Sequence, residues 1–247
     1  MTEPTYRNSA GRFLNLLRSM NKSGKYLDII PGAFCSQDEA TTNGKEAKNQ
    51  LCLIGLSKLD EVYQTFIKDM QKSEIGEEQR SVLLKGLENL KTIIYPMQLN
   101  SGMRAASEAE FSLLEVCATI LPQEGEIQQN DIEDIKQSIN DLREVIEKSE
   151  TPDVLKKLLM EYIRLSHDSI SRYSIYGVKG LKDAIKSMLA ESAEMQWSLN
   201  EEEKEKVRSS EAWQAAVKHL RLLDQIGSKI LEYQPMLQAG TQLLLGT

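Results

Sequence analysis

Apolar residues recur every three or four positions along almost the whole chain, the spacing that places them on one face of an α-helix. Between 46 and 74, Cys52, Leu56, Leu59, Tyr63, Phe66 and Met70 advance by alternating steps of four and three. From 131 to 149, Ile132, Ile135, Ile139, Leu142 and Ile146 do the same, with Asp, Glu, Lys, Gln and Arg on the other faces. Neither run sustains the three or four heptads of a free-standing coiled coil, so the seams are expected to pack against each other as an antiparallel bundle.

The punctuation agrees. Thr151, Pro152 and Asp153 read as a capping threonine, a proline at the first helical position and an acid in the first turn. Asn200 with Glu203 three residues on resembles a capping box and is expected to open a long helix carrying Trp213, Val217, Leu220, Leu223, Ile226 and Ile230, ended by Pro235. Pro96 and Pro122 close two earlier helices, because proline disfavours the helical conformation in the residue before it. The pattern predicts about eight helices, near 10–20, 46–74, 77–95, 103–121, 131–149, 152–173, 178–196 and 201–233. No strand is required, so the fold class is all-α: a multi-helix bundle with no β-sheet. The stretch from Pro31 to Lys45, rich in Gly, Ser, Thr and Asn, is expected to be a disordered connection. The whole chain, 1–247, is read as one helical domain, with 122–130 as the candidate break between 1–121 and 131–247.

Composition narrows the function. At 247 residues and 40% hydrophobic content the chain can bury a core without disulfides or metal. Thirty Lys and Arg against thirty-seven Asp and Glu leave a formal charge of −7, which argues against nucleic acid as the main ligand. Cys35, Cys52 and Cys117 are far apart and form no CxxC pair, so a reducing, cytoplasmic setting is expected. The first residues lack a secretory apolar segment, Thr2 stands where myristoylation needs glycine, and no window reaches the length of a membrane span.

Candidate chemistry was sought by spacing. His167 and Asp168 form a His-Asp pair, but the helical metal phosphohydrolases need a further upstream histidine, and the only other one, His219, lies downstream. His219 is expected to be a structural, half-buried residue of its helix. Carboxylate-bridged di-metal bundles carry Glu three residues before His; here Arg164 precedes His167 and Ala216 precedes His219. No P-loop is present, and no arginine stands five residues before either histidine, as helical ribonucleases require. A Cys-His nucleophile is left open by the sequence, although Cys52 and Cys117 fall on apolar stripes and only Cys35 is in a loop. No catalytic residue, metal ligand or cofactor is assigned.

Two regions point to partners. The stretch 164–183 reads as a helix hairpin turning at Gly177, in which Tyr173 and Tyr176, beside Arg172 and Lys179, could form a binding corner. Trp197 stands near a helix end beside a polar turn, and Leu243, Leu244 and Leu245 form an apolar tail. The expected function is therefore a non-catalytic interaction protein, an adaptor, regulatory or structural subunit, whose partner is another protein or a second copy of itself. The alternative is a carboxylate-held Mg²⁺ enzyme acting on a nucleotide or phosphorylated small molecule; the third is a membrane-active bundle.

Overall fold

The computed structural model describes residues 7–21, 23–34, 45–125 and 127–227. Among them the chain is all-α: there is no β-strand, only an isolated antiparallel bridge between Lys25 and Gly102. No helix among the described residues is long and apolar enough to cross a membrane. Two compact units divide the chain, Met1–Gln123 and Glu124–Thr247.

Unit one contains α1 (Ser9–Met20), α2 (Tyr26–Phe34), α3 (Lys45–Lys72), α4 (Glu77–Gly86), a 3₁₀ turn (Glu88–Leu90), α5 (Lys91–Ile94) and α6 (Glu108–Ile120). The expected seam of α3 is buried throughout: Cys52, Leu56, Leu59, Tyr63, Phe66 and Met70 all face inward. Against it α1 sets Phe13, whose ring lies 5.6 Å from Tyr63 and 5.9 Å from Phe66, close enough for aromatic contact to add to burial. The other side of α1 packs on α6. One side chain fixes that pairing: Asn8 Oδ1 caps α1 by accepting from Gly11 N at 2.9 Å, and its Nδ2 donates to the carbonyls of Ala118 and Leu121 at 2.8 and 2.9 Å.

Unit two contains α7 (Gln129–Lys148), α8 (Asp153–Ser171), the single turn α9 (Tyr173–Tyr176), α10 (Val178–Ser198), α11 (Glu201–Ser209) and α12 (Glu211–Gly227). α8 packs against α10 on one side and α7 on the other, and α12 lies chiefly along α7. The isoleucine seam of α7 meets Leu155, Leu159, Tyr162, Leu181, Ile185, Trp213, Leu220 and Leu223 in one continuous core.

Several expectations about element ends are corrected. Residues 26–34 form a helix that the sequence reading left out, and Pro31, expected to begin a loop, is buried in its second turn. The expected helix 77–95 is three pieces: the Leu87 N–H is shared between Leu83 and Leu84 carbonyls, both at 3.2 Å, which tightens the chain into a 3₁₀ turn while Leu83, Leu87, Leu90 and Ile94 keep facing the core. The helix expected from 103 starts at Glu108, where Ser107 and Glu110 close a capping box. The expected long helix from 201 breaks at Ser210, which is extended (ψ 144°) and whose Oγ accepts from Trp213 N at 3.3 Å, starting α12 afresh. Thr151 does not cap α8; Pro152 occupies that position and the Thr151 hydroxyl pairs with Ser149 at 2.8 Å. Cys35, Ile230, Pro235 and the terminal leucines lie outside the described residues.

Candidate interaction surface

The His-Asp pair of α8 is not a site geometrically. His167 is exposed, and Asp168 forms an ion pair with Arg172 one turn on, at the helix end. Among the described residues no group of three or more His, Cys, Asp or Glu gathers to hold a metal. Cys117 is buried, which pushes its thiol up to about 11 and makes it a poor nucleophile.

The second histidine is fully internal. His219 Nδ1 lies 2.9 Å from Ser138 Oγ on α7, and its ring meets the edge of Tyr162 on α8 at 5.7 Å. Burial alone holds its pKa down to about 4, so the imidazole is neutral near pH 7. The Tyr162 hydroxyl points towards Ser166 one turn on, without closing a bond of normal geometry, and burial raises its pKa. This arrangement registers α12 on α7 and α8; sealed from solvent, it cannot exchange protons with a substrate. In unit one a shallow cleft of about 380 Å³ is lined by Arg18, Asn21, Glu108, Phe111, Ser112 and Glu115. There Arg18 lies over the Phe111 ring and pairs with Glu115, so the one cation of the cleft is already engaged by the protein and Glu108 adds a second carboxylate.

The hairpin around Gly177 is built as its sequence requires. Gly177 adopts φ 59°, ψ −150°, a conformation open essentially to glycine alone, and ends α9 where α10 begins. Three residues on, Gly180 approaches α8 so closely that a β-carbon there would sit 3.3 Å from Ser169 Cβ. Of the residues expected at a binding corner, Tyr173 is half-buried and its hydroxyl accepts from the Ile127 amide at 3.0 Å, holding the chain ahead of α7. Tyr176 is half-buried, and Lys179 lies 3.8 Å from Asp183 along α10.

Trp197 is different. Along α10 the buried positions are Leu181, Ala184, Ile185, Met188, Ser192 and Met195; at 100° per residue, position 197 falls on the opposite face. Its indole is 86% exposed. The end of the helix is well defined: the Ser198 hydroxyl bonds back to Met195 O at 2.8 Å, Leu199 is extended, and a full capping box between Asn200 and Glu203 opens α11. Since α8 and α10 run antiparallel with Gly180 level with Ser169, Val154 at the start of α8 falls level with residues 195–197. Val154 is 51% exposed. Unit one also exposes Leu53, Ile54, Val82, Tyr95, Met97 and Val116, spread over α3, α4, α6 and the connection after α5.

Comparison with protein-family models, curated proteins and solved structures gave no match to this chain.

Proposed function

We propose that the chain is a non-catalytic helical interaction protein, an adaptor, regulatory or structural subunit, that holds another protein through the Trp197 face of its second unit. The observation that carries the reading is the exposure of Trp197 in the last turn of α10, where Ser198 bonds back to Met195 and the capping box of α11 follows directly. Covering a side chain of this kind is worth about 1.5–3 kcal/mol, and tryptophan is the residue most enriched among the few that dominate binding energy. Val154 is a second exposed apolar side chain at that level, and the charged residues of the surrounding helices suit a polar rim. A cytoplasmic setting fits Cys52 and Cys117, which are buried and far apart in sequence.

The test is site-specific photocrosslinking in extract of the source cells. A photoreactive residue at position 197 is expected to give a discrete product that unmodified protein competes away, whereas one at Asn140, exposed on α7, gives none. Equal, uncompeted products from both positions, or none from 197, would sink the reading.

A further inference from the structure

The charge of the molecule is not evenly spread. Unit one carries fourteen Lys and Arg against fifteen Asp and Glu, and unit two sixteen against twenty-two, so unit two holds −6 of the formal −7. Within unit two one of the acidic stretches surrounds Trp197. Between Lys186 and Lys204 there are five carboxylates, Glu191, Glu194, Glu201, Glu202 and Glu203, and no basic residue. The adjoining end of α7 and start of α8 are balanced, with Glu144, Glu147, Glu150 and Asp153 against Arg143, Lys148, Lys156 and Lys157, and on α11 Glu201 and Glu202 pair with Lys204 and Lys206, so the acidic edge of the face rests chiefly on Glu191 and Glu194.

The outer face of α10 gives this acidic rim a shape. Ala190, Ala193 and Trp197 recur at the spacing that aligns them on one side of the helix, and the two alanines leave one flank of the indole open. Glu191 and Glu194 are exposed beside them. A face with an aromatic ring and carboxylates along one flank favours a cation above the ring and another at that edge.

We propose that the Trp197 face binds a basic amphipathic segment of a partner protein, placing an apolar side chain and a Lys or Arg against the indole while its other cations meet the Glu rim. This rests on the interaction reading above. A second copy docking by the same face would oppose two acidic rims, and a nucleic acid would bring phosphates to carboxylates, so charge selects against both.

The experiment uses the full-length chain and two fluorescein-labelled peptides, one of Lys and Leu at helical spacing and its counterpart with every Lys replaced by Glu, followed by anisotropy. The basic peptide is expected to bind saturably and the acidic one not at all. Trp197→Ala should weaken binding about tenfold or more, and Glu191→Lys with Glu194→Lys about as much. Glu133→Lys with Asp134→Lys, the same charge change on α7, should alter it less than about twofold. Equal loss from the α7 pair, equal binding of the acidic peptide, or full binding by Trp197→Ala would each overturn the proposal. If competed crosslinking from position 197 survives Glu191→Lys with Glu194→Lys, the interaction reading stands and only the basic partner falls; if position 197 gives no competed product in the unaltered chain, both fall.

Discussion

The two units differ in the buried polar groups on which they most depend, an ion pair in one and a neutral imidazole in the other. In unit one two internal polar side chains are anchored several times over, while the Ser9 hydroxyl has no partner among the described atoms: Glu110, 7% exposed, takes two bonds from Arg104 at 2.8 and 2.9 Å and others from the Ser107 amide and hydroxyl, and Asn8 satisfies three backbone groups. In unit two they are neutral and sparsely bonded: His219 has one bond, and the hydroxyls of Tyr162, Ser166 and Ser192 have none among the described atoms. A charge inside a protein is tolerated only when fully partnered, whereas a neutral hydroxyl or imidazole costs less and can be left partly unmet. The first unit is thus tied to its ion pair, and the second to keeping a proton off one ring.

The largest effect expected from this contrast lies where no polar group intervenes. Phe13→Ala removes the ring that meets Tyr63 and Phe66 and should cost about 3–5 kcal/mol, read as faster amide exchange across α1 and α3. Next is acidification. Because the folded pKa of His219, about 4, lies below its unfolded value of about 6.5, the unfolded chain binds the extra proton first. Stability of unit two is therefore constant above about pH 7 and falls by roughly 3 kcal/mol as pH drops from 6.5 to 4. Denaturant unfolding followed by Trp213 fluorescence in a Trp197→Phe background should show this slope, and His219→Gln should flatten it; an unchanged slope would break the contrast.

Unit one has no histidine, and its acid response begins lower. The Glu110 carboxylate costs something to bury, but Arg104 and Ser107 outweigh that and hold its pKa below the usual range, so its stabilisation is present above about pH 4.5 and is lost as pH falls through the lowered value. Arg104→Met, which strands the carboxylate, should cost about 2 kcal/mol at pH 7, and adding Glu110→Gln should recover part of it in a double-mutant cycle. The smallest effect is Ser138→Ala, which removes the one bond of His219 for about 1 kcal/mol. A loss as large as that of Arg104→Met would show that the second core is as strictly partnered as the first.

How much the sequence disclosed depended on what each signal measures. Periodicity reports a continuous face, so the seams of α3 and α7 were read residue by residue. It says nothing about where backbone direction changes within a continuous stripe. Leu83, Leu87, Leu90 and Ile94 read as one helix although the chain passes through a 3₁₀ turn, and Ser210 hid inside a helical pattern because serine both caps and tolerates helices. Proline misled in the other direction, since Pro31 marks a breaker in sequence but rests within α2 once Ile30 and Phe34 are buried beside it. Glu110 and His219 show a further limit: burial of a polar side chain is decided by partners such as Arg104 and Ser138, six and eighty-one residues away, that no local pattern reveals. The exposure of Trp197 was foreshadowed by its place near a helix end beside a polar turn, whereas the internal bond of Tyr173 to Ile127 was not.

The double attachment of Asn8 also bears on how the chain reaches its fold. Its partners Ala118 and Leu121 are 110 and 113 positions further along, so α1 completes this pairing only after all the intervening residues have been made. Closing so long a loop is entropically unfavourable until the intervening helices exist, which puts the locking of α1 on α6 late in folding. Asn8→Ala should therefore hasten unfolding while leaving the refolding rate nearly unchanged, a kinetic signature of a latch that closes after the barrier is crossed.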